Sequence, residues 1–148
     1  MLILALAASA SFDPLTFFAG RTEGRGHLKI VMRATRDVRV HGTGRPGPHG
    51  LTLTQRVEQE GRPASVRTWV LRRVAPGRYT GTLTDAAGPV TAETSGNRLH
   101  IAYTTPSHVN IEQWLTLTPD GRVAHNVLTA RRFGITVARL HETITKLD

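Results

Sequence analysis

The stretch Ala64-Ser65-Val66-Arg67-Thr68-Trp69-Val70-Leu71-Arg72-Arg73-Val74-Ala75-Pro76-Gly77-Arg78-Tyr79-Thr80-Gly81-Thr82-Leu83-Thr84-Asp85 decides the fold. Two runs rich in β-branched and aromatic residues, 64–74 and 78–85, flank Ala75-Pro76-Gly77, which carries the residue types a tight turn needs; the stretch predicts a β-hairpin. Side chains alternate in direction along a strand, so Arg67, Trp69 and Leu71 share one face while Val66, Thr68 and Val70 share the other.

The same pattern extends in both directions. Short segments rich in Thr and Val are predicted as strands near 26–34, 36–43, 50–60, 89–95, 98–105, 108–118, 122–131 and 134–145. Turn residues separate them at Glu60-Gly61-Arg62-Pro63, Ala87-Gly88-Pro89, Gly96-Asn97 and Pro119-Asp120-Gly121. About ten consecutive strands joined by hairpins most simply make an all-β, antiparallel up-and-down barrel, because closure removes the exposed edges. One short helix precedes them: Asp13 as N-cap, Pro14 at the first helical position and Gly20 as terminator. No repeat or linker divides the 148 residues, so residues 11–148 are expected to form one domain.

Alternation also selects an interior. Leu51, Leu53, Gln55, Val57 and Gln59 lie on one face, as do Val109, Ile111, Gln113, Leu115 and Leu117, with Glu112 and Trp114 opposite. Polar groups thus interrupt apolar faces. A buried Arg or Gln needs hydrogen-bond partners, so these side chains form either an internal network or the polar lining of a ligand cavity.

Composition excludes several classes. With no Cys there is no disulfide and no thiolate metal site. The net charge of +8 comes from 19 Lys and Arg against 11 Asp and Glu. Met1 to Ala10 is uncharged and ends in Ala8-Ser9-Ala10, a small-x-small pattern, and is expected to be a cleaved export signal despite its lack of a basic leader. An apolar run of about ten residues falls short of the roughly 20 that span a bilayer as a helix. The expected location is periplasmic or secreted.

Arg67-Thr68-Trp69, Gly77-Arg78-Tyr79-Thr80-Gly81-Thr82, Asp85, Gly88, Gly96-Asn97 and Tyr103 together resemble the core of the bacterial domain-of-unknown-function family 3833. Phe17-Phe18-Ala19-Gly20 with Gly26 is similar to the opening segment of that family, and Trp114, Asn126 and Arg132-Phe133-Gly134-Ile135 to its closing motifs. The resemblance implies an exported envelope protein, often a lipoprotein, and fits a lipocalin-like (calycin-like) barrel; family members tend to occur with fatty-acid-modifying enzymes. The absence of Cys separates this chain from lipoprotein relatives and predicts a soluble product. Where the family favours acids, this chain has Gln55, Val57 and Gln59, and Glu112-Gln113 in place of a paired acid before Trp. Chemistry that needs two carboxylates is thereby put in doubt, since an amide is neither general acid nor general base.

The inward amides single out Arg67. Without a carboxylate from the strands carrying Gln55 and Gln113, its guanidinium is available to an anionic ligand head, with an acyl tail along Leu51, Leu53, Val57, Leu71, Ile111 and Leu115. The alternative is that Arg67 stacks on a ring and closes one end of the barrel. Candidate ligand-binding residues are Arg67, Trp69, Gln55, Gln113, Tyr79 and Tyr103.

Other signatures carry less. Gly42-Thr43-Gly44-Arg45-Pro46-Gly47 matches G-x-G-x-x-G, but Pro46, Pro48 and Gly50 forbid the following helix, and it reads as a flexible hairpin loop. There is no P-loop, no G-x-S-x-G and no H-E-x-x-H, and the seven His have no ligand spacing, so no catalytic residue, cofactor or metal is assigned. Arg33, Arg36, Arg39 and Arg45, and Arg72, Arg73 and Arg78, form basic clusters suited to an anionic membrane surface. Eight aromatic residues without a stacking motif argue against nucleic acid. The expectation is a small-molecule-binding barrel for a hydrophobic or amphipathic, fatty-acyl-like ligand, more in keeping with a binder than an enzyme. Two alternatives are an envelope accessory protein that docks through its basic surface on a membrane or protein partner, and a lipid-modifying isomerase or hydrolase.

Overall fold

The computed structural model describes residues 11–148; the segment 1–10, read above as an export signal, lies outside them. Ten antiparallel strands form a closed barrel: β1 (Gly20–Ile30), β2 (Arg36–Gly47), β3 (Gly50–Gln59), β4 (Ser65–Ala75), β5 (Arg78–Leu83), β6 (Val90–Ser95), β7 (Arg98–Thr104), β8 (Asn110–Leu117), β9 (Val123–Arg132) and β10 (Ile135–Lys146). Each strand pairs with its neighbours in sequence, and β1 pairs with β10 to close the ring. Among the described residues, no helix is long and apolar enough to cross a membrane.

One helix, α1 (Pro14–Phe17), precedes the barrel. The Asp13 carboxylate caps it by accepting from the Leu15 amide at 3.0 Å, as the Asp-Pro pair predicts. It plugs one end. Phe12, Phe17 and Phe18 pack against Leu51, Leu99, Leu115 and Leu117, and the T-shaped pair Phe17–Phe18 has ring centroids 4.9 Å apart. Burial of each such side chain stabilises by roughly 1.5–3 kcal/mol, and this half of the barrel holds most of the core. A smaller apolar cluster, Val38, Val40 and Leu140 with Leu28, Val57 and Leu128, fills the other half.

Two parts depart from the sequence reading. β1 starts at Gly20, six positions before the expected Gly26. Its buried side runs first through Thr22, Gly24 and Gly26, so up to Gly26 the inward positions carry no apolar side chain and the period-two signal disappears there. The G-x-G-x-x-G segment, expected as a flexible loop, is the end of β2, paired throughout with β3 and, from Gly42 to Gly44, with β1 as well. Its glycine at 44 has a packing cause: a Cβ there would stand 1.7 Å from the carbonyl oxygen of Phe18, so only glycine lets the plug approach the wall.

Candidate functional site

A polar belt crosses the interior between the two apolar clusters. Register builds it: Gln55 on β3 lies opposite Arg67 on β4, and Asn126 on β9 lies opposite Glu142 on β10, all on the inward face. Gln113 on β8 completes it. Beneath the belt lies a cavity of about 50 Å³, floored by Pro14 and Phe18, walled by side chains such as Leu53, Leu71, Ile101 and Leu115, and bordered by Gln55, Arg67, Trp69, Gln113, Asn126 and Glu142. That volume has room for about four water-sized groups.

Two hydrogen-bonded sets make the belt. On one side Gln55 Oε1 accepts from both Arg67 Nε (2.9 Å) and Trp69 Nε1 (2.8 Å). On the other, Asn126 Nδ2 donates to Gln113 Oε1 (2.9 Å) and to Glu142 Oε1 (3.1 Å). The Asn126 Oδ1 is buried and accepts from no group among the described residues. A donor reaching this oxygen would gain about 1–3 kcal/mol.

Arg67 is the cation of the belt. Its side chain is 22% exposed on the unplugged side, and its nearest carboxylate is Asp85, at 4.0 Å from the β5–β6 connection. Gln55 engages only Nε, and among the described residues the outer nitrogens make no hydrogen bond. The guanidinium carbon is 5.9 Å from the centroid of the Trp69 ring, a loose cation–π contact. Trp69 in turn meets Tyr103 edge-on at 5.7 Å. Burial pushes the Tyr103 phenol above its ordinary range, an effect that Arg67 and Gln113 oppose.

The candidates thus separate. Arg67, Trp69, Gln55 and Gln113 border one cavity, and Tyr103 packs on Trp69 beside it. Tyr79, which the sequence reading placed among the ligand-binding side chains, does not border the cavity. Its hydroxyl donates to Asp13 Oδ1 at 3.3 Å and its ring lies under Arg73, so it ties the helix cap to the wall at the plugged end. Of the acyl-tail residues, Leu51, Leu53, Leu71 and Leu115 line the cavity, whereas Val57 and Ile111 do not.

Glu142 is the residue that sequence reasoning missed. Desolvation holds its carboxyl above the ordinary glutamate range, with the Asn126 hydrogen bond and the Arg67 charge pulling the other way. The interior therefore does contain a carboxylic acid. A signal for it lay in β1: a Cβ at Gly24 would stand 2.2 Å from Glu142 Oε2, so the side-chain-free position exists to house the carboxyl group. No His joins it, since His125 and His141 point outward on their strands. Among the described residues no group of three His, Asp or Glu side chains could hold a metal ion.

On the outer wall, Glu112 accepts from His100 Nε2 (2.6 Å), Arg131 (3.1 Å) and Trp114 Nε1 (3.2 Å). These contacts, His100 first, lower the Glu112 carboxyl below its ordinary range. This cluster lies outside the barrel and does not meet the cavity.

A lipocalin-like, ten-stranded barrel with a polar-belted interior is the class that fold and site define. The chain belongs to the DUF3833 family of proteins of unknown function, whose model matches residues 5–146. No curated protein matches it. Its fold is similar to that of the S-type phycobiliprotein lyase CPES from Guillardia theta, with a TM-score of 0.70 and 7% identity over 90% of each chain. It is also similar to a protein of unknown function from the DUF3598 family of Nostoc punctiforme, with a TM-score of 0.62 and 12% identity over 99% of this chain and 53% of that one. At these identities the likeness is one of fold.

Proposed function

We propose that this protein is an exported binding barrel for a small amphipathic anion, whose acidic head pairs with Arg67 at the neck and whose short apolar tail enters the cavity beneath. The observation that carries the reading is the position of Arg67: a cation at the border of an apolar-walled cavity, whose outer nitrogens make no hydrogen bond among the described residues and whose nearest carboxylate, Asp85, is 4.0 Å away. The barrel shared with a phycobiliprotein lyase supports a ligand-handling role over a purely structural one. Export rests on the character of Met1 to Ala10.

The cavity sets the size of the ligand. Sites for drug-sized molecules hold roughly 300–1,000 Å³, and about 50 Å³ admits only a few carbons. A long acyl chain needs side chains to move, so the class narrows to short or branched acids. The unmatched Asn126 Oδ1 favours one bearing a hydroxyl or amine donor.

Native mass spectrometry of the purified protein, followed by calorimetric titration with short-chain carboxylates and the matched alcohols, tests this. The acids are expected to bind and the alcohols not, and Arg67→Met is expected to weaken the acids at least about tenfold, the loss of one charge-assisted contact. Equal binding of acid and alcohol, or unchanged affinity in a folded Arg67→Met variant, would overturn the reading.

A further inference from the structure

Large apolar side chains stand in solvent at one corner of the unplugged rim. Val31 and Met32 belong to the β1–β2 connection, Phe133 to the β9–β10 connection, and Ile135 starts β10; Met32 is 96% and Phe133 85% exposed. Because β1 and β10 are neighbours, and the Val31 amide donates to the Val137 carbonyl at 2.9 Å, the two connections lie side by side. Met32 and Phe133 also hold positive φ angles of 63° and 51°, a conformation that residues other than glycine avoid. The two most exposed apolar side chains of the rim are thus presented outward on strained backbone. A barrel folded for its own sake gains nothing from either feature.

The outer wall below these tips is positive in an equally costly way. Lys29 on β1 sits directly opposite Arg139 on β10, and the next outward pair sets His27 against His141. Like charges directly opposite each other across two strands are destabilising. Arg33 and Arg132 flank the tips, with the Arg132 guanidinium 5.4 Å from the Phe133 ring centroid. The nearby Asp37 is engaged by His27 at 2.9 Å and neutralises none of the four cations.

We infer that this corner of the rim docks on an anionic lipid bilayer, with Met32, Phe133, Val31 and Ile135 entering the headgroup boundary and Lys29, Arg33, Arg132 and Arg139 meeting lipid phosphates. Apolar tips ringed by cations have the complementarity such a surface offers. A second copy of the chain would set the same four cations against their own kind, and a nucleic acid offers no apolar phase for the aliphatic Val31, Met32 and Ile135 beside Phe133. The inference stands on the rim alone and does not depend on what the cavity holds, although Arg67 opens toward the same end.

Co-sedimentation of the full chain with vesicles of phosphatidylcholine alone, and of phosphatidylcholine mixed with phosphatidylglycerol, tests it. Binding to the mixed vesicles only is expected, weakening as salt rises. The double variant Met32→Ser/Phe133→Ser is expected to bind at least about tenfold less well, and Lys29→Gln/Arg139→Gln about tenfold less well. Arg45→Gln/Arg72→Gln, which removes as much charge near the plugged end, is expected to bind as wild type does. Circular dichroism melts check that each variant is folded. The inference is overturned if the wild type ignores mixed vesicles, or if the control pair loses as much as Lys29→Gln/Arg139→Gln. A dimer in sedimentation velocity that Met32→Ser/Phe133→Ser dissolves would overturn it as well.

Discussion

The two halves of this barrel are built by different rules. The plugged half is apolar: Phe12, Leu99 and Leu115 are at most 1% exposed, the α1 plug seals it where Gly44 lets it approach the wall, and its side chains wall the small cavity beneath the belt. The belt above it places Gln55, Arg67, Gln113, Asn126 and Glu142 inside, satisfies most of them in two short hydrogen-bonded sets, and leaves one buried oxygen unmatched. Burying polar groups stabilises a fold less than burying hydrocarbon of the same volume. A barrel that places amides, an acid and an arginine in one interior layer gives up apolar burial there, and the proposed head site falls in that layer while the apolar half holds the fold together.

Substitutions on either side of the belt should split accordingly. Leu115→Ala, in the apolar half, is expected to lose about 2–5 kcal/mol of stability in urea denaturation. Arg67→Met should lose only about 0.5–1.5 kcal/mol, one hydrogen bond, because Gln55 keeps its bond from Trp69. Equal losses would erase the distinction between the halves.

Glu142 gives a smaller effect with a definite sign. Its carboxyl is raised in the folded barrel, so between the ordinary glutamate value, about 4.3, and the folded value the native state holds more protons than the unfolded chain. Stability then falls as pH rises through that window, and the penalty is absent below it. Glu142→Gln should therefore melt at nearly constant temperature where the wild type loses stability with rising pH. Parallel pH profiles of the two melting temperatures would show that the acid is not held in its neutral form.

Much of this was legible before any coordinates. Thr- and Val-rich runs between Gly and Pro turns are a local signal, and the ten strands, the Asp13-capped helix and the inward face of Arg67, Trp69, Gln55 and Gln113 all follow from it. What escaped depends on contacts between distant segments. From Thr22 onward β1 pairs with β10, and Gly24 and Gly26 stand where an inward side chain would reveal the period; these glycines make sense only against His141 and Glu142. Gly42 to Gly47 reads as a loop by composition, and only the partner strands on both sides make it a wall. Tyr79 sits on the inward face as alternation requires, but alternation does not say at what height, and its height places it against Asp13.

The position of Arg67 beside Trp69 allows a direct test of the binding site. The chain has two tryptophans, and Trp114 lies on the outer wall, so in a Trp114→Phe background the emission reports Trp69 alone, whose indole donates to the same Gln55 oxygen as Arg67. Titration of that protein with a short-chain carboxylate should produce a saturable change in Trp69 emission that disappears when Arg67→Met is added. An emission that does not respond to the acid, or responds identically without Arg67, would contradict a ligand head at the neck of the cavity.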